Sequence, residues 1–325
     1  MDAAPYPAMR WLLALAAVLA ASTAVYAWLL PSRDRYVLAL EIRAIVDSRA
    51  ASAAREWLTS GRTALDSAQP MQAPFTAEGR LAGGRPVTWR FHVRQGQQIT
   101  AVVVAHDPSV FVDLLHKDGN AAVAGGTSQT TYTADRDGEL VLRVQPALGV
   151  EQPFRIEVVT HASLLFPVPT VAASAVQSGF GAARDHGARR HEGIDIFARR
   201  GTPVVAAADG WVTGSTTNRL GGNVVWVWSP ARRIRTYYAH LDRQAVSPGE
   251  HVHPGEVIGY VGNTGNARTT PPHLHFGVYR AFGGAADPLP YVCDPSCGER
   301  LMHRRRQTTE SRPGMPARRG GAETE

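Results

Sequence analysis

Cysteine is nearly absent: the 325 residues hold two, Cys293 and Cys297. A four-cysteine metal cage is thereby excluded, because no second pair exists to complete it. The pair is suited to a small local disulfide loop, formed in an oxidising compartment with the backbone turning at Pro295. No phosphate-cradling glycine loop or nucleotide-binding motif stands out. Acidic residues are outnumbered, 28 Asp and Glu against 34 Lys and Arg, for a formal charge of +6. Much of the excess lies beyond Gly298, in Arg300, Arg304, Arg305, Arg306, Arg312, Arg318 and Arg319. That stretch has almost no apolar side chains to bury, so residues 293–325 are expected as the disulfide loop and a disordered basic tail. No nucleic-acid partner is expected. A basic tail outside the cell meets acidic polymers or anionic lipid, or is simply solvated.

Residues 11–30 carry no charge and are long enough to cross a bilayer core as a helix, with Trp11, Tyr26 and Trp28 near the ends. A membrane anchor over 1–31 is therefore expected, with a cleaved signal segment as the alternative. Residues 32–70 lack proline until Pro70 and are rich in Ala, Leu, Ile, Arg and Glu. They read as a helical stalk with a break near Ser60-Gly61. From 71 to 162 the pattern becomes alternating apolar and polar runs, such as Val87-Thr88-Trp89-Arg90-Phe91-His92-Val93, separated by Asp118-Gly119 and Asp137-Gly138 turns. A small accessory β-sandwich is expected there, followed by a proline-containing linker over 163–177.

The chemistry-bearing residues are concentrated further on. Three segments read His-Glu-Gly-Ile-Asp (191–195), Tyr-Tyr-Ala-His-Leu (237–241) and Pro-His-Leu-His-Phe (272–276). Imidazole nitrogens and carboxylate oxygens are good zinc ligands, and a catalytic zinc needs three of them plus an open position. Alternate residues of a strand share a face, so His273 and His275 point one way with Leu274 behind them. A strand over 191–195 turns Glu192 away from His191 and Asp195, as a solvated side chain. Tyr238 and Asn223 read equally as lining the site or as structural. His251 and His253 form another His-x-His pair, to which no role is assigned and at which no second metal is expected. Short strands with dense turn signals between 202 and 276 predict an antiparallel, mainly β domain.

In order, the segments Gly179-Phe180-Gly181, Arg190-His191-Glu192-Gly193-Ile194-Asp195, Tyr238-Ala239-His240-Leu241, Gly262-Asn263-Thr264-Gly265 and His273-Leu274-His275-Phe276 resemble the lysostaphin-type (LytM-like) zinc endopeptidases of bacterial cell-wall peptidoglycan. The resemblance covers 178–292. It implies zinc as cofactor, held by His191, Asp195 and His275, with His240 and His273 as catalytic residues. It also implies a β-sheet fold with a narrow groove, the zinc at its floor, and peptidoglycan peptide stems as substrate. Such an enzyme works outside the cytoplasmic membrane. The expected molecule is thus mainly β, with a C-terminal antiparallel metallopeptidase domain, a small β-sandwich before it and an N-terminal transmembrane helix. The alternative is a non-catalytic envelope protein that binds wall peptides or regulates another wall hydrolase. The complete ligand set argues against it.

Overall fold

The computed structural model describes residues 32–118, 122–184 and 187–294. The uncharged run at 11–30 and the basic tail lie outside the described residues. Among those described, no helix is long and apolar enough to cross a membrane. The described residues fall into two compact units, divided after Thr160, with residues 95–97 belonging to the second. Both are built mainly of strands.

The first unit opens with helices α1 (Ser32–Val46) and α2 (Ser48–Thr63). The break between them falls at Asp47, not near Ser60-Gly61. Asp47 has an extended backbone, and its carboxylate accepts the Arg49 N–H at 2.9 Å, capping α2. Strands follow as β1 (Gln69–Pro70), β2 (Phe75–Leu81), β3 (Val87–Val93), β4 (Gln97–Ala105) and β5 (Val110–His116). The unit continues through β6 (Ala122–Gly126), β7 (Gln129–Thr133), β8 (Gly138–Pro146) and β9 (Gln152–Ala162). One sheet has the order β1-β3-β8-β5-β6 and the other β2-β9-β4-β7. Phe91, Leu114 and Leu142 from the first meet Ile99, Phe154 and Ile156 from the second in one buried cluster, which defines a β-sandwich.

Strand β9 alternates buried and exposed residues from Gln152 to Val158, as a half-exposed strand should. Strand β5 is buried throughout because its outer face is also covered. There Trp57 and Leu40 of the helices pack with Phe111, and Trp57 Nε1 donates to the Pro146 carbonyl at 2.8 Å. Beside them the Arg143 guanidinium pairs with Asp113 at 2.7 Å and donates to the Gly61 carbonyl at 2.8 Å. Residues expected as a stalk are therefore folded onto the sandwich.

The second unit contains β10 (Val176–Ser178), β11 (Ala183–Arg184), β12 (Arg189–Arg190), β13 (Ile194–Phe197) and β14 (Pro203–Val205). Longer strands follow, β15 (Gly210–Asn218), β16 (Gly222–Ser229) and β17 (Ile234–Gln244). The last are β18 (His251–Val252), β19 (Val257–Val261), β20 (His273–Arg280) and β21 (Gly284–Ala286), closed by a helical turn α3 (Leu289–Val292). The main sheet runs β10-β13-β20-β17-β16-β15-β18, with β19 also paired to β17, β14 to β19 and β21 to β20, and β11–β12 as a separate hairpin. All its pairings are antiparallel.

One face of this sheet is apolar. Ile194, Ile196, Tyr238, Leu274 and Phe276 belong to the same buried cluster. So do Leu164, Val168 and Val176, and the Leu165 N–H donates to the Ala207 carbonyl at 2.9 Å. The segment expected as a linker is thus packed into the second unit, because its leucine and valines have an apolar face to cover. Cys293 is buried and disulfide-bonded; Cys297 lies outside the described residues.

Candidate metal centre and active site

Strand alternation assigns the opposite face of the sheet to polar side chains. In the β13–β20 ladder Asp195 stands opposite His275, and Phe197 opposite His273. The intervening Ile196 and Leu274 go to the core. His191 comes from just beyond the β11–β12 hairpin, where its N–H donates to the Ala182 carbonyl and its carbonyl accepts the Gly181 N–H, both at 2.8 Å. A cleft of about 670 Å³ lies over these residues.

Three ligand atoms converge at its floor. His191 Nε2 lies 2.9 Å from His275 Nδ1 and 3.0 Å from Asp195 Oδ1, and His275 Nδ1 lies 3.1 Å from the same oxygen. His191 Nδ1 sits 2.8 Å from the Gly179 carbonyl, which only an N–H can satisfy. The neutral ring therefore carries its lone pair on Nε2, facing the other two donors. Two nitrogens and a carboxylate oxygen at mutual contact, with the tautomer of one fixed for coordination, fit a divalent transition metal.

The surroundings support this arrangement. Arg184 donates to Asp195 Oδ2 at 2.8 Å and to Ser178 Oγ at 2.6 Å, leaving Oδ1 to the histidines. Burial raises the Asp195 pKa, but hydrogen bonds and charges of His191 and His275 outweigh it and hold the carboxyl well below its usual range. Burial pushes the His275 pKa down, favouring the neutral ring that coordination requires, and the neighbouring Asp195 opposes that shift. Gly193 is fixed by space, since a Cβ there would run into the His275 ring and the Phe276 carbonyl.

His240 and His273 stand beside the triad. Their ring centroids are 5.0 Å apart, and His240 is 5.9 Å from His275. Each directs Nδ1 to a backbone carbonyl, His240 to Thr264 at 3.0 Å and His273 to Pro271 at 2.9 Å. Each neutral ring thus holds an unprotonated Nε2. Burial, followed by the charges of His273 and His275, lowers the His240 pKa to about 4. His240 is also one of two described non-glycine residues with positive φ, at 62°. Its N–H donates to the Gly221 carbonyl at 2.7 Å, so the loop entering β16 holds this strained backbone in place.

Residues 189–288 match the family model described as peptidase family M23. The catalytic domain of lysostaphin from Staphylococcus simulans is 32% identical over 35% of this chain and 87% of that domain, with a TM-score of 0.32. Residues 189–288 are a peptidase M23 domain. It is also 38% identical over 138 residues to the L-Ala--D-Glu endopeptidase of Bacillus subtilis (strain 168), covering 39% of this chain and 42% of that protein. It is 44% identical over 91 residues to the peptidoglycan DD-endopeptidase ShyC of Vibrio cholerae, covering 27% of this chain and 20% of that protein. The chain thus spans well under two thirds of the length of these curated relatives.

Within the M23 domain, all five residues singled out by sequence gather around one cleft. Tyr238 and Asn223, open between lining and structural readings, both prove structural. Tyr238 is fully buried, with its hydroxyl accepting the Ala207 N–H at 2.8 Å. Tyr237 lines the cleft instead, packed on Trp226 with ring centroids 4.3 Å apart. Asn223 is structural, donating to the Asp242 carbonyl at 2.9 Å. Glu192 is exposed, yet it borders the cleft and accepts the Tyr279 hydroxyl at 3.1 Å. Arg184 was not singled out from sequence, and Gly179 entered only within the Gly179-Phe180-Gly181 segment, without a role. No spacing rule separates Arg184 from Arg189 and Arg190; the hairpin fold does.

Proposed function

We propose that this protein is a zinc-dependent endopeptidase that hydrolyses peptide cross-links of peptidoglycan during wall remodelling. The observation that carries this reading is the convergence of His191 Nε2, Asp195 Oδ1 and His275 Nδ1 within 2.9–3.1 Å at the floor of an open cleft. Bound there, zinc would supply Lewis acidity toward a water and the scissile carbonyl. The protein's own residues do the rest. Arg184 holds the Asp195 carboxylate in one orientation, and Gly179 sets the His191 tautomer. His240 and His273 present unprotonated Nε2 atoms, able to take the proton of an attacking water. Once protonated, either donates to the developing oxyanion or to the leaving amine. Trp226 and Tyr237 form an aromatic wall against which a substrate chain lies.

The substrate class is supported by relatives whose names specify peptidoglycan or an L-Ala--D-Glu bond. A wall substrate places the enzyme outside the cytoplasmic membrane, with residues 11–30 as its anchor.

The test is amine release from purified sacculi by the full chain, with and without a zinc chelator. Chelator-sensitive release of amino groups, without new reducing sugar ends, is the expected result. A folded, zinc-loaded protein that releases none would defeat the proposal and favour the peptide-binding alternative.

A further inference from the structure

On the far margin of the M23 sheet lies a second group of metal-ligating side chains. Strand β18 pairs with β15 so that Trp211 stands opposite His251 and Gly210 opposite Val252. This pairing brings Asp209, just before β15, against a His-x-His pair more than 40 residues later in the chain. His251 Nε2 lies 3.3 Å from Asp209 Oδ1, and His253 Nδ1 lies 3.0 Å from Asp209 Oδ2. The two imidazole rings are 4.8 Å apart. One donor atom from each residue falls within 4.8 Å of the other two. Among the described residues, this is the one such group besides the catalytic triad.

We propose that Asp209, His251 and His253 form a second divalent transition-metal site, distinct from the catalytic centre. Two imidazoles and one carboxylate select zinc, nickel or copper over calcium or magnesium, which prefer all-oxygen shells. The backbone beneath the ligands is fixed. The Asp209 carbonyl accepts the Ser229 hydroxyl at 2.6 Å, and the His253 N–H donates to the Glu256 carboxylate at 3.1 Å. The turn after β18 is closed by the Glu256 N–H donating to the His253 carbonyl at 3.1 Å. Small rotations of the exposed side chains then bring three donors onto one ion while water fills its remaining positions. The site lies three strands from β17, across β16 and β15, so the ion takes no part in peptide hydrolysis. Its effect is to pin the two-residue edge strand β18 to β15, adding stability whenever metal is present.

Trp211 provides a reporter, half exposed and with its ring 4.7 Å from that of His251. Full-length protein, first loaded with one equivalent of zinc, is titrated with Zn2+ by calorimetry and separately with Ni2+ while following tryptophan emission. Wild type should bind one more zinc than His253→Ala, with the extra ion taken up at concentrations on the order of 10 µM. Nickel should quench emission in wild type and lose that effect in His253→Ala. In Trp211→Phe the extra ion should remain while the quenching disappears. Because the readout is the difference between wild type and His253→Ala, it holds even if the catalytic centre takes no zinc. Equal stoichiometry in the two folded proteins at about 100 µM metal, or quenching unchanged by the substitution, would overturn the proposal.

Discussion

Replacing His240 by alanine tests the division between metal-holding and proton-handling residues. The imidazole makes one directed bond, from Nδ1 to the Thr264 carbonyl at 3.0 Å, and it is not among the three converging ligand atoms. Losing that bond costs about 1 kcal/mol of stability. Alanine at φ 62° inherits the left-handed strain already borne by histidine, so the backbone term nearly cancels. The folded state should therefore survive with zinc content unchanged. Catalysis should fall much further, because a positioned acid–base group contributes roughly 10²- to 10⁴-fold, or about 3–5 kcal/mol of barrier. His240→Gly separates the two effects: it relieves about 1 kcal/mol of backbone strain yet should be equally inactive. The assays are metal analysis of the purified variants, thermal unfolding, and amine release from sacculi. If His240→Ala loses its zinc, the residue belongs to the ligand set. If it keeps activity within tenfold of wild type, the role assigned to it is wrong.

Gly193→Ala should weaken zinc binding by about tenfold or more, by displacing the His275 ring while leaving every ligand in place; competition with a chromogenic chelator measures this. Asp113→Ala leaves the buried Arg143 guanidinium without its carboxylate, and should destabilise the sandwich by about 3–5 kcal/mol. Denaturant unfolding checks that figure, and a loss below 1 kcal/mol would mean that water or another acceptor replaces the carboxylate.

The period of two along β20 was enough to place His273 and His275 together, and the same rule fails two residues from His240. Counting back from His240 assigns Tyr238 to the cleft face. The left-handed backbone at His240 and the bulges in the β17 ladders reset the alternation, so Tyr237 faces the cleft and Tyr238 the core. A periodicity argument assumes a continuous strand, and here the strand is deformed where the chemistry is. The helix break was likewise misplaced. Gly61 looked like the weak point, but its carbonyl serves the buried Arg143, whereas Asp47 ends one helix and caps the next.

By itself, the sequence determined the residue types and the local order: five histidine and aspartate side chains, of which Asp195, His240, His273 and His275 lie in short apolar runs that form strands. Those properties depend on near neighbours, so they are readable without a fold. Tertiary structure alone decided which lone pairs meet. The Gly179 carbonyl that sets the His191 tautomer and the arginine that orients Asp195 depend on the hairpin closing, and Asp209 reaches His251 only when β15 pairs with β18. Hydrogen bonds and metal ligation act over about 3 Å, a range that chain separation does not predict and strand pairing does.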